Sequence, residues 1–465
     1  MIGAALRARE ADGKRVKVAV VGAGRFGASV IAQIAGVPGM EVAAIADRNP
    51  VNLAAAWEAY GAAPDEVVPA DAIGPAVDAV TAGRLVGLED ADLAPELPVD
   101  VIVEATGVTD VSARICRAAL ESGRHVVNVT VEADAAVGAR LAGIARRNSV
   151  VYTLADGDQP GVVNRMVEWA RSLGFSVLAA GRGTKRYAAD REGSPEEAFA
   201  RYGYSDELVA HRRLNARMYN SFRDGTKSQI EMCALANVTG LVPDRPGMHE
   251  PPAGVDDLAQ LFRLRAHGGI LGREGVVELA NAVADDGETD VAGEIANGVF
   301  VVVRASHALI AEDLGFYGLK VSEDGRVGVL YRPYHLCGVE TPLSAAEAAL
   351  FGHATACPRE EPIADVAAVA KQDLAEGTQL DGGGGETVSG YIVEWGEARA
   401  RGILPLALAE AVKLVRPVQR GEAICYADVR PRNAGTIDEL RREMGDGGWE
   451  DVENGAMLPK LEFPK

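Results

Sequence analysis

Long apolar runs are missing from this chain of 465 residues; none approaches the ~18–20 residues that a membrane-spanning helix needs. The N-terminus, MIGAALRAREADGKR, also lacks the apolar core and small-residue cleavage pattern of a secretory leader. Cysteine is scarce. The five cysteines, Cys116, Cys233, Cys337, Cys357 and Cys425, are far apart, odd in number and without CxxC spacing. That excludes a disulfide framework and gives no zinc site. The seven histidines form no HxxxH or HExxH pattern, so a divalent metal has no motif behind it and no metal ligand is assigned. Positive charge is the scarcer sign, with 47 Lys and Arg against 67 Asp and Glu, a formal net charge of −20. Such a surface repels phosphate backbones and anionic lipid, which argues against nucleic acid and membrane as partners. A soluble, cytoplasmic protein is expected, and an anionic substrate would need a local basic pocket.

What is present is an ordinary globular composition, 48% apolar and 25% charged, over a length that implies two or three domains. Residues 16–22 (VKVAVVG) are a short apolar run rich in β-branched residues, the pattern of a strand buried on both faces. Glycines follow, then an apolar-periodic helix to about Gly36, then a second buried strand at 41–47. Further strand-like runs at 100–106, 125–130 and 150–156 alternate with helical stretches, notably 111–122. This alternation predicts an α/β fold with a parallel, doubly wound Rossmann sheet. Residues 50–98, rich in Ala and Asp, read as a peripheral, helical insertion.

From about Pro160 the texture changes to an α+β pattern. A helix over 161–173 leads to a strand at 175–181, and a second helix begins near Asp224. Strands return at 299–305 and 318–321, with a hairpin turn at Glu323-Asp324-Gly325. Residues 338–351 read as a helix that packs back on the first domain. A weak repeat relates 370–381 to 414–425, aligning Gly377 with Gly421, Leu374 with Val418 and Leu380 with Ile424, and predicts a small pseudo-symmetric β module. The division expected is 1–158, 159–355, 360–432 and a polar tail over 433–465.

Gly22-Ala23-Gly24-Arg25-Phe26-Gly27 is a GxGxxG sequence that follows a strand and opens a helix, with Asp47 at the end of the second strand. That context makes it a dinucleotide fingerprint. Gly22 permits the turn, Gly24 lets the backbone approach the pyrophosphate, Gly27 allows close packing, and the helix N-terminus faces the phosphates. Asp47 would accept from the ribose hydroxyls of NAD, whereas the adjacent Arg48 could pair with the 2′-phosphate of NADP, so NAD and NADP both remain open. Ala105-Thr106-Gly107 closes a later strand and is expected to line the nicotinamide ribose.

Chemistry beyond the cofactor points to polar clusters at breaks between apolar elements, 156–160, 181–187 and 220–228. Hydride transfer to a carbonyl leaves charge on oxygen, which a cationic donor both stabilises and protonates. Lys185 and Lys227 suit that task, provided burial or a cationic neighbour loosens the proton. Arg182 and Arg186 flank Lys185, and Arg223 precedes Lys227. These arginines could instead form an anion pocket with the helix N-terminus near Thr226. Plainer readings compete: Ser228 to Glu231 is a capping-box pattern, Asp224 could be only an N-cap beside its candidate catalytic role, and Lys227 with Glu231 a surface pair. His335, in YRPYH, is a candidate substrate contact or a structural histidine.

The segments EADAAVG (132–138), ADGDQPG (155–161), AAGRGTKRY (179–187), NSFRDGTKSQIEM (220–232), YRPYHL (331–336) and LPLALAEAVKLVRPVQRGEAICYADV (404–429) occur in this order. Together they resemble the homoserine-dehydrogenase-related oxidoreductases with a C-terminal SAF domain, a group that includes the DXR-like (class II) 1-deoxy-D-xylulose 5-phosphate reductoisomerases. The resemblance implies a Rossmann domain, a central α+β catalytic and dimerisation domain, and a SAF-type β-clip matching the repeat. It also implies a homo-oligomer, dimer or tetramer, and an active site holding Lys185 and Lys227 with Asp156 and Asp158 nearby. Arg182 stands where the family commonly has Lys; an arginine binds anions but cannot act as acid or base. The expectation is an NAD(P)-dependent oxidoreductase of a small, phosphorylated keto or hydroxy compound, with reductoisomerisation of a deoxyxylulose-phosphate-like sugar as its sharpest form. Oxidation of homoserine or a sugar acid is the alternative. A SAF-domain sugar-acid lyase or dehydratase, and a non-catalytic cofactor sensor, are readings from other classes.

Overall fold

β1 (Val16–Val21) is apolar almost throughout because both its faces are covered, and only Lys17 escapes full burial. It is the central strand of a seven-stranded sheet completed by β2 (Met40–Ala46), β3 (Val67–Ala70), β4 (Leu85–Leu88), β5 (Val101–Glu104), β6 (His125–Asn128) and β7 (Tyr152–Leu154). The order is β3-β4-β2-β1-β5-β6-β7, and every neighbouring pair is parallel. Strand order reverses between β1 and β5, the place where such sheets open a ligand crevice.

The computed structural model describes residues 1–212, 214–449, 461 and 463, and part of the expected polar tail lies outside them. The chain divides into two compact units, one of Met1–Gly161, Leu336–Glu360 and Gly435–Leu440, the other of the remainder. Within the first, the helix Thr341–Phe351 packs against β5, β6 and the helix Arg25–Ala35, and its Ala345 and Ala346 join the core of Val18, Val20, Ile31 and Ile45. The segment 50–98 is not a peripheral helical insertion. It supplies two strands, β3 and β4, to the sheet edge. Each is only four residues long, too short for an alternating pattern to declare itself.

The second unit contains a mixed six-stranded sheet of β8 (Ser176–Thr184), β9 (Val242–Pro243), β10 (Val276–Asn281), β11 (Val299–Arg304), β12 (Lys320–Val321) and β13 (Val327–Arg332). Its order is β12-β13-β11-β8-β10-β9, parallel from β8 to β9 and antiparallel elsewhere. The β12–β13 hairpin turns at the Glu323-Asp324-Gly325 site read from the sequence, with Gly325 at φ +69°. β10 was hidden in a stretch of scattered Pro, Gly and acidic residues. One face is closed by a core in which Phe262 and Phe300 stack at 5.3 Å.

Against β8, β10 and the antiparallel pair β14 (Ala364–Ala370) and β15 (Val388–Glu394) lies the helix Thr226–Thr239. Its polar stripe holds the strands by hydrogen bonds to their backbone. Thr226 Oγ1 accepts from Gly390 N at 3.0 Å, and Gln229 Oε1 from Ile392 N at 2.9 Å. Asn237 Oδ1 accepts from Ile363 N and Ala364 N at 2.8 and 3.0 Å.

The sequence repeat is realised as a pseudo-two-fold. Leu374 N donates to Val418 O at 2.9 Å and Val418 N to Leu374 O at 3.0 Å. Gly377 N bonds Leu414 O as Gly421 N bonds Ala370 O, both at 2.9 Å. Leu380 N bonds Val412 O at 2.8 Å, and its counterpart Ile424 N bonds Ala368 O at 2.9 Å. Gly377 and Gly421 sit at φ +83° and +81°, where a Cβ costs roughly 1–2 kcal/mol. Gly377→Ala and Gly421→Ala are therefore expected to destabilise the module by about 1 kcal/mol each, and by amounts equal within a few tenths. Urea midpoints of the two variants check this; a loss confined to one site would show that the halves are not equivalent.

Candidate active site

In the first unit the residues of the dinucleotide fingerprint converge. Gly22 has φ +95°, and a Cβ there would lie 2.5 Å from Ala105 O. Gly27 is buried, and a Cβ on it would overlap the Gly22 carbonyl. Gly24, the N-cap of the helix Arg25–Ala35, faces open space within 4 Å, so the backbone there is bare to an incoming pyrophosphate. The first-turn N–H groups of Arg25, Phe26 and Gly27 have no carbonyl one turn back to bond, and they offer donors and a positive dipole end. Asp47 closes the cradle: its Oδ2 accepts from Ala23 N at 2.7 Å and its Oδ1 from Asn49 N at 2.8 Å. Arg48 beside it is exposed. Across the crevice, Ala105 N bonds Val21 O at 2.7 Å, and Gly107 N donates to Thr130 Oγ1 at 3.0 Å.

Behind that second loop runs a buried polar chain that the sequence reading missed. Glu104, fully buried at the end of β5, accepts from Thr106 N at 2.8 Å and from the Thr106 and Ser112 hydroxyls. Burial pushes its pKa up against these donors. Asn128 Nδ2 donates to Tyr152 OH at 2.9 Å, and that phenol donates to Asp134 Oδ1 at 3.0 Å. Desolvation raises the Asp134 pKa to about 7. The signal available was an acidic residue ending an otherwise apolar strand, beside Thr106-Gly107. Asp156 and Asp158 also lie in this unit, both buried. Ser344 Oγ accepts from Asp156 N at 2.8 Å, and Asp158 Oδ1 accepts from Gln159 N at 3.0 Å, at the start of the helix Gln159–Ser172.

In the second unit, Arg182 of β8 is in register with Val299 of β11, which is in register with Arg332 of β13. One end of the sheet therefore collects Arg182, Arg332 and the following His335, whose Nδ1 lies 3.0 Å from Asn297 O. Lys185, Arg186 and Tyr187 leave β8 at the same end.

Each of the three expected anion-binding arginines faces a carboxylate. Arg182 pairs with Glu231, Arg186 with Glu250 through two nitrogens, and Arg223 with Asp190 at 3.2 Å. Arg223 also lies over the Tyr202 ring at 4.4 Å. Lys185 Nζ sits 2.6 Å from Asp290 Oδ2, while Tyr187 OH donates to Asp290 Oδ1 at 3.0 Å. The hydrogen bond to Asp290 moves the Lys185 pKa up, opposite to the lowering by cationic neighbours that the sequence suggested.

Lys227 is buried in the first turn of the helix Thr226–Thr239, with 8% of its surface exposed. Just before that helix, Asp224 is fully enclosed. Its Oδ1 accepts from Thr226 N at 2.9 Å, and its Oδ2 meets Lys371 Nζ at 3.0 Å. Lys371 donates further to Gly193 O and Gly385 O at 2.9 and 2.8 Å. Lys371 and Glu250 were not read from the sequence, and Glu231 was read only as a cap or a surface partner, since their true partners lie far away along the chain. The capping box starting at Ser228 does not form, because the helix begins at Thr226 with Gly225 as N-cap. Nor is Glu231 a surface partner of Lys227, being buried against Arg182. Among the described residues no group of three or more His, Cys, Asp or Glu side chains could hold a metal ion, and no helix is long and apolar enough to cross a membrane.

Residues 22–154 match the family described as the NAD binding domain of homoserine dehydrogenase, and residues 157–341 match the catalytic domain of the oxidoreductase DRL. No curated protein matches the chain in sequence. Among solved structures, an aldose-aldose oxidoreductase from Caulobacter crescentus is similar at 12% identity over 74% of this chain and 92% of that one, with a TM-score of 0.39. The scyllo-inositol dehydrogenase of Lactobacillus casei, with bound NAD(H) and scyllo-inositol, is similar at 13% identity over 69% and 76%, with a TM-score of 0.33. The myo-inositol dehydrogenase of Lactobacillus casei is similar at 16% identity over 40% of this chain and 50% of that one, with a TM-score of 0.28.

The Asp134 carboxyl makes the first unit sensitive to pH. Its pKa rises from 3.8 to about 7 on folding, so the native state binds the extra proton between those values. Stability is full below the lower value and falls as pH rises through the upper one, by on the order of 4 kcal/mol. Asp134→Asn is expected to flatten this slope and to raise the melting temperature at pH 8. Melting curves from pH 4 to 8 check it, and an unchanged slope would rule Asp134 out as its source.

Proposed function

We propose that this chain, an NAD(P)-dependent oxidoreductase built from a homoserine-dehydrogenase-type dinucleotide domain and a DRL catalytic domain, interconverts the carbonyl and alcohol forms of a small keto or hydroxy substrate with Lys227 as the proton donor. The observation that carries the assignment is the burial of Lys227 in the first turn of the helix Thr226–Thr239, inside the segment matched to an oxidoreductase catalytic domain. Carbonyl reduction places negative charge on oxygen as the hydride arrives. An ammonium at the positive end of a helix stabilises that charge and supplies the proton, and the alcohol leaves with both. Bound NAD(P)H supplies the hydride, and Gly22, Gly24, Gly27 and Asp47 are the residues that would hold it.

The three arginine–carboxylate pairs are close to neutral, so we assign Arg182, Arg186 and Arg223 to positioning. Lys185 is neutralised by Asp290 in the same way, and because that hydrogen bond holds its proton more firmly we assign it to positioning rather than proton donation. Asp224 orders the helix start, and Asp156 and Asp158 remain candidates for orienting the substrate. The pseudo-two-fold module supports the SAF-type assignment of residues 360–432. Reductoisomerisation of a phosphorylated sugar and oxidation of homoserine or a sugar acid are narrower versions of the same hydride chemistry. A lyase would consume substrate with no net change in NAD(P)H.

The test is NAD(P)H oxidation and NAD(P)+ reduction over a panel of phosphorylated sugars, sugar acids and hydroxy amino acids, with product detection by NMR. On whichever compound turns over, Lys227→Met is expected to lower kcat by about 100-fold or more, the usual contribution of a positioned acid, with NAD(P)H affinity unchanged. Wild-type turnover by Lys227→Met would overturn the assignment, and substrate loss without cofactor change would move the protein to the lyase class.

A further inference from the structure

A cavity of about 440 Å³ opens in the second unit, walled by residues that follow β8 and β10, by the loop 245–252 and by Tyr391 and Arg420 of the β module. That volume suits a metabolite-sized ligand. Neither Lys227, Arg182 nor His335 lines it. Its wall carries Arg186, Arg191, Arg245 and Arg420 against only two carboxylates, Glu250 and Asp285, a positive lining in a chain of net charge −20.

The cations differ in how firmly they are held. Arg186 is fixed by Glu250. Arg420 pairs with Glu192 at 2.5 Å, but their side chains are 42% and 58% exposed, and such a pair opens at little cost. Arg245 bonds the Met248 carbonyl through Nε at 2.9 Å, and no carboxylate among the described residues pairs with it. The loop that carries it is strained where it meets the cavity. Met248 and Glu250 are non-glycine residues at φ +66° and +49°, next to Gly247 at +76°. Left-handed backbone at such residues is unfavourable and is kept where the surroundings enforce it, often at ligand sites. Here Gly247 N donates to Ile392 O at 2.8 Å and His249 N to Glu278 Oε2 at 3.0 Å.

We propose that this cavity is a second small-molecule site, separate from the dinucleotide cradle and from Lys227, and that it takes a phosphate monoester of a ring compound. The dianion matches the positive lining and the forked geometry of Arg245 and Arg420, while Tyr187 and Tyr391 in the wall offer apolar contact to the ring. The site is wired to the catalytic segment through Arg186. Its Cδ is the nearest atom to a Cβ built on Gly225, at 3.2 Å, and Gly225 starts the helix that carries Lys227. A ligand that draws Glu250 or Arg186 toward itself shifts the turn that positions that lysine.

Isothermal titration with ribose 5-phosphate, and with inorganic phosphate as the bare anion, tests this on the full chain. Ribose 5-phosphate is expected to bind more tightly than phosphate. Arg245→Met is expected to weaken it by roughly tenfold, the loss of one charge-assisted contact. Ala284→Glu, which adds a carboxylate at the half-buried rim without removing a contact, is expected to do the same and covers the case in which Arg245→Met fails to fold. Lys227→Met is expected to leave binding unchanged. Absence of binding by the wild-type chain overturns the proposal. So does binding that falls in Lys227→Met and survives Arg245→Met and Ala284→Glu, since the phosphate would then occupy the redox substrate site. Failure of the proton-donor assignment, read from turnover, leaves this result untouched.

Discussion

A helix that is polar along two stripes and buried on nearly all sides needs a partner for each of those polar groups, and the helix Thr226–Thr239 has found them in the backbone of other elements. Thr226, Gln229 and Asn237 sit on one stripe, at helical spacing, and each accepts from N–H groups at β14 or β15. Each such bond contributes only about 1 kcal/mol net, but leaving the group unpaired in the interior would cost more, up to roughly 3 kcal/mol. The asymmetry makes the arrangement specific rather than strong. A shift of β14 or β15 by one residue would orphan these side chains together, so the helix sets the register in which the β module docks. The same helix presents Lys227 and Glu231 one turn apart on another stripe, and Glu231 fixes Arg182. The candidate proton donor is thus held by the element that holds the module.

Electrostatics in this unit follows the same economy of partners. A chain with an excess of acid has many carboxylates, and here they neutralise the arginines that a linear reading would count as an anion trap. Asp224 and Lys371 form the most enclosed of these pairs, with side chains 0% and 1% exposed. Such a pair gains little over an apolar equivalent, but it is costly to break, because a lone buried charge remains. Lys371 precedes β15 and follows β14, so the pair ties the β module to the loop that starts the lysine helix.

The dinucleotide domain was legible because its signals are local. Gly22, Gly24 and Gly27 are close in the chain and meet the constraint together, and Asp47 ends the very next strand. The pseudo-two-fold was legible for a similar reason: a glycine at positive φ in each half leaves a mark that survives divergence at other positions. What escaped were relations between distant residues and elements too short for a period. β3 and β4 have four residues each. Arg182 meets Glu231 across 49 positions and Lys371 meets Asp224 across 147, and nothing in either neighbourhood names the partner. The Ser228–Glu231 pattern misled because a capping box needs the helix to start at its serine, and Gly225 with Asp224 starts it earlier.

The two units are therefore constrained by different physics, and they should tolerate change differently. In the first, function rests on backbone approaching backbone, as where Gly22 meets Ala105, and any side chain at such a point is excluded whatever its chemistry. In the second, it rests on side chains satisfying backbone and on ion pairs satisfying each other, where matched exchanges can preserve the balance. Swapping both members of a buried pair is admissible there in a way that no substitution at Gly22 is. A dinucleotide site fixed by sterics can keep its cofactor, while a substrate site fixed by exchangeable pairs can drift in specificity. Arg182 facing Glu231, both buried, is one such exchangeable pair.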